Sequence, residues 1–262
     1  MNIQSRHLVF NDLHFPYHDV ALWDLLCEFS AWLKPDARVW NGDLFDFYQI
    51  SKFSKHIDRR GKMPVEREIA VAAIKQMRSV RKRVTKDIAL PGNHEWRLTE
   101  YHRKHADVLD EIGMTVPTWW EFLRLDKMGF EIHDFEDAAY PILELGFLKV
   151  FHGDKSNKHV LETLLNEWGC SLLIGHTHRM GSRGRAFYDF SPQAFENGHL
   201  ADARRLSNTY LRGIANWQQG FSVVTVDDKT GWFNVEQVRI SRVPDKGQRR
   251  FYYGGNFWEC GL

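Results

Sequence analysis

Apolar positions along the 262-residue chain fall into two rhythms. Short apolar runs at 7–10, 38–40, 88–90, 147–151 and 171–174 read as buried strands. Between them lie stretches of helical spacing. Ala21, Leu22, Leu25, Leu26, Phe29 and Leu33 form one stripe, with Asp19 placed as its N-cap and Lys34-Pro35-Asp36 as its stop. Ile69, Ala72, Ala73, Met77 and Val80 form the buried face of a helix expected over 65–83. Residues 96–125 look helical and aromatic, and 158–168 read as a helix ended by Gly169. Short strands are expected at 131–134 and 142–145, and a hairpin at 221–226 and 232–240 around Asp227-Asp228-Lys229-Thr230-Gly231. Strands alternating with helices predict an α/β fold with a largely parallel sheet.

Each of the five runs ends in chemistry that a turn does not need. They close on Asn11-Asp12-Leu13-His14, Asn41-Gly42-Asp43-Leu44-Phe45-Asp46, Pro91-Gly92-Asn93-His94-Glu95, His152-Gly153-Asp154 and Gly175-His176-Thr177-His178. Turns call for Gly or Asn to supply backbone angles, whereas imidazoles and carboxylates are superfluous there. Parallel strands bring such tips to one edge, where open α/β sheets bind ligands. Asp and His together suit manganese, iron, zinc or nickel better than calcium or magnesium. Asp12 and His14 alternate by two, as do His176 and His178, so each pair faces one side of an extended segment. Asp43 sits in a glycine-supported turn from which a carboxylate could bridge two ions.

The ordered series Asp12-x-His14, Gly42-Asp43-x-x-Asp46, Gly92-Asn93-His94-Glu95, His152 and Gly175-His176-x-His178 resembles the calcineurin-like metallophosphoesterases. Residues 213–221 also resemble phage-encoded members. The resemblance implies a four-layer αββα sandwich of two mixed sheets with helices outside. It implies a dinuclear metal site at the strand C-terminal ends. One divalent ion would be held by Asp12, His14, Asp43 and His178, and the other by Asp43, Asn93, His152 and His176, with Asp43 bridging. Manganese is the first expectation for the pair, with iron, zinc, nickel or cobalt as alternatives. A hydroxide shared by the ions would attack phosphorus in line. His94 would serve as general acid or transition-state stabiliser, with Asp46 orienting it. Glu95 is read as loop support. Arg97 fits the extension of the protein-phosphatase branch and could clamp a phosphate oxygen. That branch carries Arg-Gly after the aspartate, whereas Phe47-Tyr48 stand here. The pair suits a diester or a base-bearing substrate, or else it is core.

Composition adds bounds rather than chemistry. Net charge is +1, so attraction of a polyanion must be local. Lys52, Arg59 and Arg60 follow the Asp46 loop, and Arg183 and Arg185 lie in 181–220; these are the expected substrate contacts, with a solvated face as the plain alternative. Residues 181–220 are read as an insertion near the site within one domain over 1–262. The aromatic tail at 251–262 would dock on the core or on a second subunit. Three scattered cysteines and the lack of a long apolar run fit a soluble cytoplasmic protein with no membrane partner. The function expected is hydrolysis of a phosphodiester, in nucleic acid or a nucleotide. A phosphomonoesterase is the alternative, and a scaffold that has kept the fold without catalysis comes last.

Overall fold

The computed structural model describes residues 4–52, 61–80, 86–136, 139–210, 215–242 and 248–260. The chain begins with β1 (Gln4–Phe10), α1 (Val20–Leu33), β2 (Ala37–Asn41), α2 (Met63–Ser79) and β3 (Lys86–Leu90). It continues through α3 (Asn93–Glu111), α4 (Trp119–Phe122), β4 (Glu131–Ile132), β5 (Leu143–Leu145) and β6 (Leu148–Phe151). Next come α5 (Val160–Trp168), β7 (Ser171–Ile174), β8 (Met180–Gly184), β9 (Gln193–Asn197) and α6 (Ala203–Tyr210). The antiparallel pair β10 (Gly220–Asp227) and β11 (Phe233–Arg239) precedes β12 (Ser241–Arg242), β13 (Arg249–Tyr253) and β14 (Asn256–Glu259).

Two mixed sheets result. The first has the order β11-β10-β1-β2-β3-β4 and the second β5-β6-β7-β9-β8. Strands β1 to β4 run parallel, and so do β6, β7 and β9. Alternation along each strand explains the layering. On β1, Leu8 and Phe10 join the cluster that contains Leu22, Leu26 and Phe29 of α1, while Val9 points the other way. Val9, Val39, Ile88 and Leu90 from the first sheet meet Leu148, Val150 and Leu173 from the second. Leu172 and Ile174 turn instead to Val160, Leu161 and Leu164 of α5. The layers are therefore helix, sheet, sheet, helix, as the resemblance implies.

The strand tips align because the registers do. Phe10 pairs with Trp40, Asn41 with Leu90, and Phe151 with Ile174. Buried Arg38 reinforces this, with Nε and Nη2 on Asp87 at 2.7 and 2.9 Å and Nη1 on the Met77 carbonyl at 2.6 Å. A fully buried guanidinium is tolerable because each face of the fork is satisfied.

Several boundaries differ from expectation. Pro64 lies in the first turn of α2, where its missing N–H costs nothing, so the helix starts at Met63. The stretch 96–125 is two helices, parted at Gly113 (φ +65°) and restarted by a Thr118–Glu121 capping box. Residues 180–184 and 193–197 are strands of the second sheet, and α6 follows them. The aromatic tail folds onto α1: Phe251 and Trp258 lie 5.2 Å from Phe29, and Trp258 lies 5.3 Å from Trp32. Arg249 Nε donates to Asp19 at 2.7 Å, so the tail is tied to the residue that caps α1. Among the described residues no helix is long and apolar enough to cross a membrane.

Candidate metal centre

The five loops meet where the two sheets adjoin, and the backbone bends sharply to deliver them. Asp12, His14, Asp43, His176 and His178 have φ of 54°, 48°, 50°, 65° and 58°. A non-glycine residue held in this left-handed region costs roughly 1–3 kcal/mol, so it persists only where surroundings enforce it. Here they do: Asp12 N donates to the Gly42 carbonyl at 3.0 Å and His14 N to that of Asp43 at 2.9 Å. Gly42 and Gly92 are needed for closeness. A Cβ on Gly42 would lie 2.5 Å from His152 Nδ1, and one on Gly92 would lie 2.2 Å from Asp43 Oδ1.

The side chains converge in groups that could each hold an ion: Asp12, His14 and His178, then Asp43, His152 and His176. Asp12 Oδ1 lies 3.0 Å from His178 Nε2 and 3.5 Å from His14 Nε2. Asp43 Oδ2 lies between the groups, 3.2 Å from His152 Nε2 and 3.8 Å from His14 Nε2. Asn93 Oδ1 approaches His176 Nδ1 at 2.7 Å, beside the second group. A third set, His14, Asp43 and His94, overlaps both.

A cation fits this pocket on three grounds. Two imidazole Nε2 atoms, of His14 and His178, face each other at 3.1 Å. Buried Asp12 Oδ1 and His152 Nε2 have no hydrogen-bond partner among the described residues. Asp12, Asp43, Asp46 and Glu95 are at most 2% exposed, and burying four carboxylates together is costly without positive charge between them. The opposite nitrogens are already directed: His152 Nδ1 donates to the Asn41 carbonyl at 2.8 Å, and His14 Nδ1 lies 3.3 Å from Asp46 Oδ1. Such contacts make Nε2 the atom that faces inward and would become the ligand once its proton is lost.

Further residues hold the ligands in place. Glu95 accepts from the N–H groups of Asp43, Leu44, Phe45 and Gly92 at 2.8–3.1 Å, which shapes the Asp43 loop. Its expected role as loop support is what the geometry describes. Asp43 Oδ1 accepts from His94 N at 2.9 Å. Asp12 Oδ2 accepts from His176 N at 3.0 Å and from Asn11 Nδ2. Behind Asn11 stands Asn197, donating to Asn11 Oδ1 at 2.7 Å and itself receiving the Ser222 hydroxyl. Asn197 also donates to the Val9 carbonyl at 3.1 Å, and Asn41 to that of Phe151 at 3.1 Å, so polar links cross between the sheets at the site. Asn11 and Asn41 could have been noticed as the last residue before a ligand loop. Asn197 and Ser222 carry no local mark.

His94 Nδ1 bonds to the Asp46 carbonyl at 2.7 Å, with the Asp46 carboxylate at 3.3 Å. The contact expected from the carboxylate is thus made chiefly by the backbone, because Asp46 Oδ1 lies equally close to His14. Arg97 donates to the Asp46 carbonyl and to His94 Nε2, both at 2.8 Å. Other expected contacts lie elsewhere. Lys52 pairs with Glu100 at 2.8 Å and is 70% exposed at its side chain. Arg183 faces Glu162 at 3.8 Å, and Arg185 covers the Phe187 ring. Arg59 and Arg60 fall outside the described residues. Phe47 and Tyr48 are buried, Phe47 against Phe45 and Phe122, so the pair is core and not a substrate surface.

A cavity of about 510 Å³ opens over the centre, a size typical of small-molecule sites. His14, Asp43, Asn93, His94, His176 and His178 form its floor, and Arg179, Asn216 and Trp217 stand among its walls. The sequence profile of the calcineurin-like phosphoesterases, Metallophos, matches residues 5–180, more than half of the chain. The chain belongs to this family. It is accordingly a metal-dependent phosphoric ester hydrolase of a dinuclear-metal family. The gene 54 proteins of Mycobacterium phages D29 and L5 are 26% identical to it, over 277 and 271 residues, with 98% of this chain and 100% of each relative covered. Likeness to solved structures is more remote. Chaetomium thermophilum Vps29 is 12% identical at a TM-score of 0.46, with both chains covered in full. The E. coli phosphoesterase Yfce is 12% identical at 0.38, covering 89% of this chain and 98% of its own.

For this phosphoesterase the side chains alone set up a competition between protons and ions. Burial pulls the His14 pKa down, but Asp12 and Asp46 and the charge of Asp43 outweigh it and hold it at about 10. Burial likewise opposes, and Asp43 and Asp12 prevail, at His152, which stands at about 9. Asp12 and Asp43 stay well below the carboxylate range despite burial, through His178 and His152 for the first and His152 and His94 for the second. Both imidazoles are raised above 6.5, so each is protonated at neutral pH and must lose that proton to become a ligand. Metal uptake at pH 7.5 should release about two protons, and affinity should fall as pH falls, roughly tenfold per unit for each proton displaced. Calorimetry of the metal-stripped protein in buffers of different ionisation enthalpy reads this directly. Uptake with no proton release would contradict it.

Proposed function

We propose that Asp12, His14, Asp43 and His178 hold one divalent ion and Asp43, Asn93, His152 and His176 a second, manganese being the first choice for both. We further propose that the centre hydrolyses phosphodiesters of nucleic acid or nucleotides. When bound, the pair would supply Lewis acidity at the phosphoryl oxygens and activate the attacking water. The chain's own residues do the rest. Asp43 spans both groups, and Asn11 with Asn197 fixes the Asp12 carboxylate so that Oδ1 points inward. His94 is steered by the Asp46 carbonyl at Nδ1, which leaves Nε2 as the atom that faces the cavity side of Asp43, at 3.8 Å from Oδ2. Burial, His14 and Arg97 keep His94 below its ordinary pKa against the pull of Asp43. A phosphate arriving between Nε2 and Arg97 adds negative charge there and favours protonation of Nε2, which then serves the leaving oxygen.

The charge balance of the cavity carries the preference for a diester. A monoester brings up to two negative charges at neutral pH, a diester one. Among the described residues lining the cavity the only Lys or Arg is Arg179. Its Nε is spent on Glu196 and its Nη2 on the Asn157 carbonyl, each at 2.8 Å. Arg97, which reaches His94 from outside that lining, is likewise engaged, with the Asp46 carbonyl and His94 Nε2, so neither guanidinium stands free for a second charge. One observation favours the monoester alternative: Arg97, bonded to His94, could turn onto a terminal oxygen.

With manganese, bis-p-nitrophenyl phosphate and a labelled single-stranded oligonucleotide should be turned over with kcat/KM at least tenfold above that for p-nitrophenyl phosphate, a gap of about 1.4 kcal/mol. Monoester turnover alone would overturn the diester reading and make Arg97 the clamp to test. His94→Ala should keep its metal content and lose roughly 10²–10⁴ in kcat. Undiminished turnover would remove His94 from the mechanism.

A further inference from the structure

Apart from the imidazoles, one aromatic side chain lines the cavity among its described residues. Trp217 stands there, half-buried, next to Asn216 in a lining that also includes His14, Asp43 and His94. It comes from outside the family-matched residues 5–180. Its ring meets His178 at 4.4 Å between centroids and 66° between planes, and His199 at 5.8 Å and 65°. The backbone beside it is fastened to the same ligand: Gln218 N donates to the His178 carbonyl at 2.8 Å. His199 N returns a bond to the Gln218 carbonyl at 3.1 Å, and Gln218 Oε1 accepts from Met180 N at 3.0 Å. Asn216 is oriented in turn, since its Oδ1 accepts from Gln218 Nε2 at 2.8 Å.

An indole fixed in this way cannot retreat from the cavity without breaking contacts to a ligand residue. It leaves apolar, polarisable surface in contact with water next to a phosphate site, an arrangement that a flat aromatic group would relieve. Asn216, with its oxygen already engaged, offers amide hydrogens at the rim of the same wall.

Resting on the diester reading above, we infer that Trp217 is a specificity-determining residue: it stacks the nucleobase of the nucleoside attached to the scissile phosphate on the His178 side. The substrate class is then a base-bearing diester, and a diester without a base forfeits this contact. Stacking of one base on an aromatic side chain corresponds to roughly five- to hundredfold in affinity. The rest of the phosphate machinery is indifferent to the base, so the contribution sits in selection between diesters.

Two chromogenic diesters with the same leaving group separate these effects: thymidine 5′-p-nitrophenyl phosphate and methyl p-nitrophenyl phosphate. The ratio of their kcat/KM values, base-bearing over methyl, should fall roughly tenfold in Trp217→Ala and in Trp217→Leu, mainly through KM. Trp217→Phe should retain most of the ratio. Trp217→Leu keeps apolar bulk and answers the question if the alanine variant does not fold. A ratio unchanged from wild type in either variant, or a wild-type ratio near one, overturns the assignment. Failure of the diester reading itself looks different: wild type would turn over p-nitrophenyl phosphate and neither diester.

Discussion

Four almost wholly buried carboxylates and five imidazoles come together at the junction of two sheets, beneath an open cavity. Asp12, Asp43, Asp46 and Glu95 are at most 2% exposed, and His14, His94, His152, His176 and His178 crowd around them. Negative charge so concentrated is destabilising on its own, and the imidazoles offset it only by holding protons. The surrounding chain is arranged to tolerate that cost. Glu95 is neutralised in part by four backbone N–H groups, and Asp12 by Asn11 and the His176 N–H. Burial and the Asp43 charge still push Glu95 up to about 7. Two divalent ions would remove the conflict, as suits a member of a dinuclear-metal family.

The same constraint accounts for the backbone. Among the described residues, five of the eight non-glycine positions at positive φ are ligand candidates. Asp12, His14, Asp43 and His176 are held there by bonds to neighbouring ligand loops, and His178 by Gln218, whose N–H its carbonyl accepts. Asn41 and Asn197, one from each sheet, reach across to the other sheet's backbone beside the site. The sheets are thus locked together where the ligands are, while Val9, Val39, Leu148 and Leu173 fill the space behind. Stability lent by the interior is spent on geometry at its edge.

Much of this was legible in the chain because it is local. An apolar run followed at once by Asp, Asn or His marks both a strand and its cargo, and all seven metal-ligand candidates lie within four residues of a strand end. Asp19 as a cap, Gly169 as a stop and the 221–240 hairpin follow from side-chain chemistry read over a few positions. What depended on distant pairing was not legible from the residues themselves. That there are two sheets follows only from the resemblance, and which of the five strands each takes only from the structure. Strand β8 carries no apolar alternation because Met180–Gly184 is an exposed edge, and β9, though buried, holds only Ala194 and Phe195 as apolar residues among Gln193, Glu196 and Asn197. Phe47 and Tyr48 sit in a loop with no periodicity to say which way they point, and the core claims them. Lys52 and Arg183 stand beside Glu100 and Glu162, partners that no local spacing marks. Arg179 and Trp217 reach the cavity from beyond the last ligand motif, where no spacing rule applies.

The claim on which all of this rests is that Asp43 joins two ions in one centre. Metal-stripped wild-type protein and Asp43→Asn, each confirmed folded by circular dichroism, would be loaded with manganese, desalted and assayed for metal per chain. Wild type should hold two ions and gain several degrees in Tm on loading, whereas the variant should hold less than one. Saturation of wild type at a single ion, or two ions retained without the Asp43 carboxylate, would contradict the account.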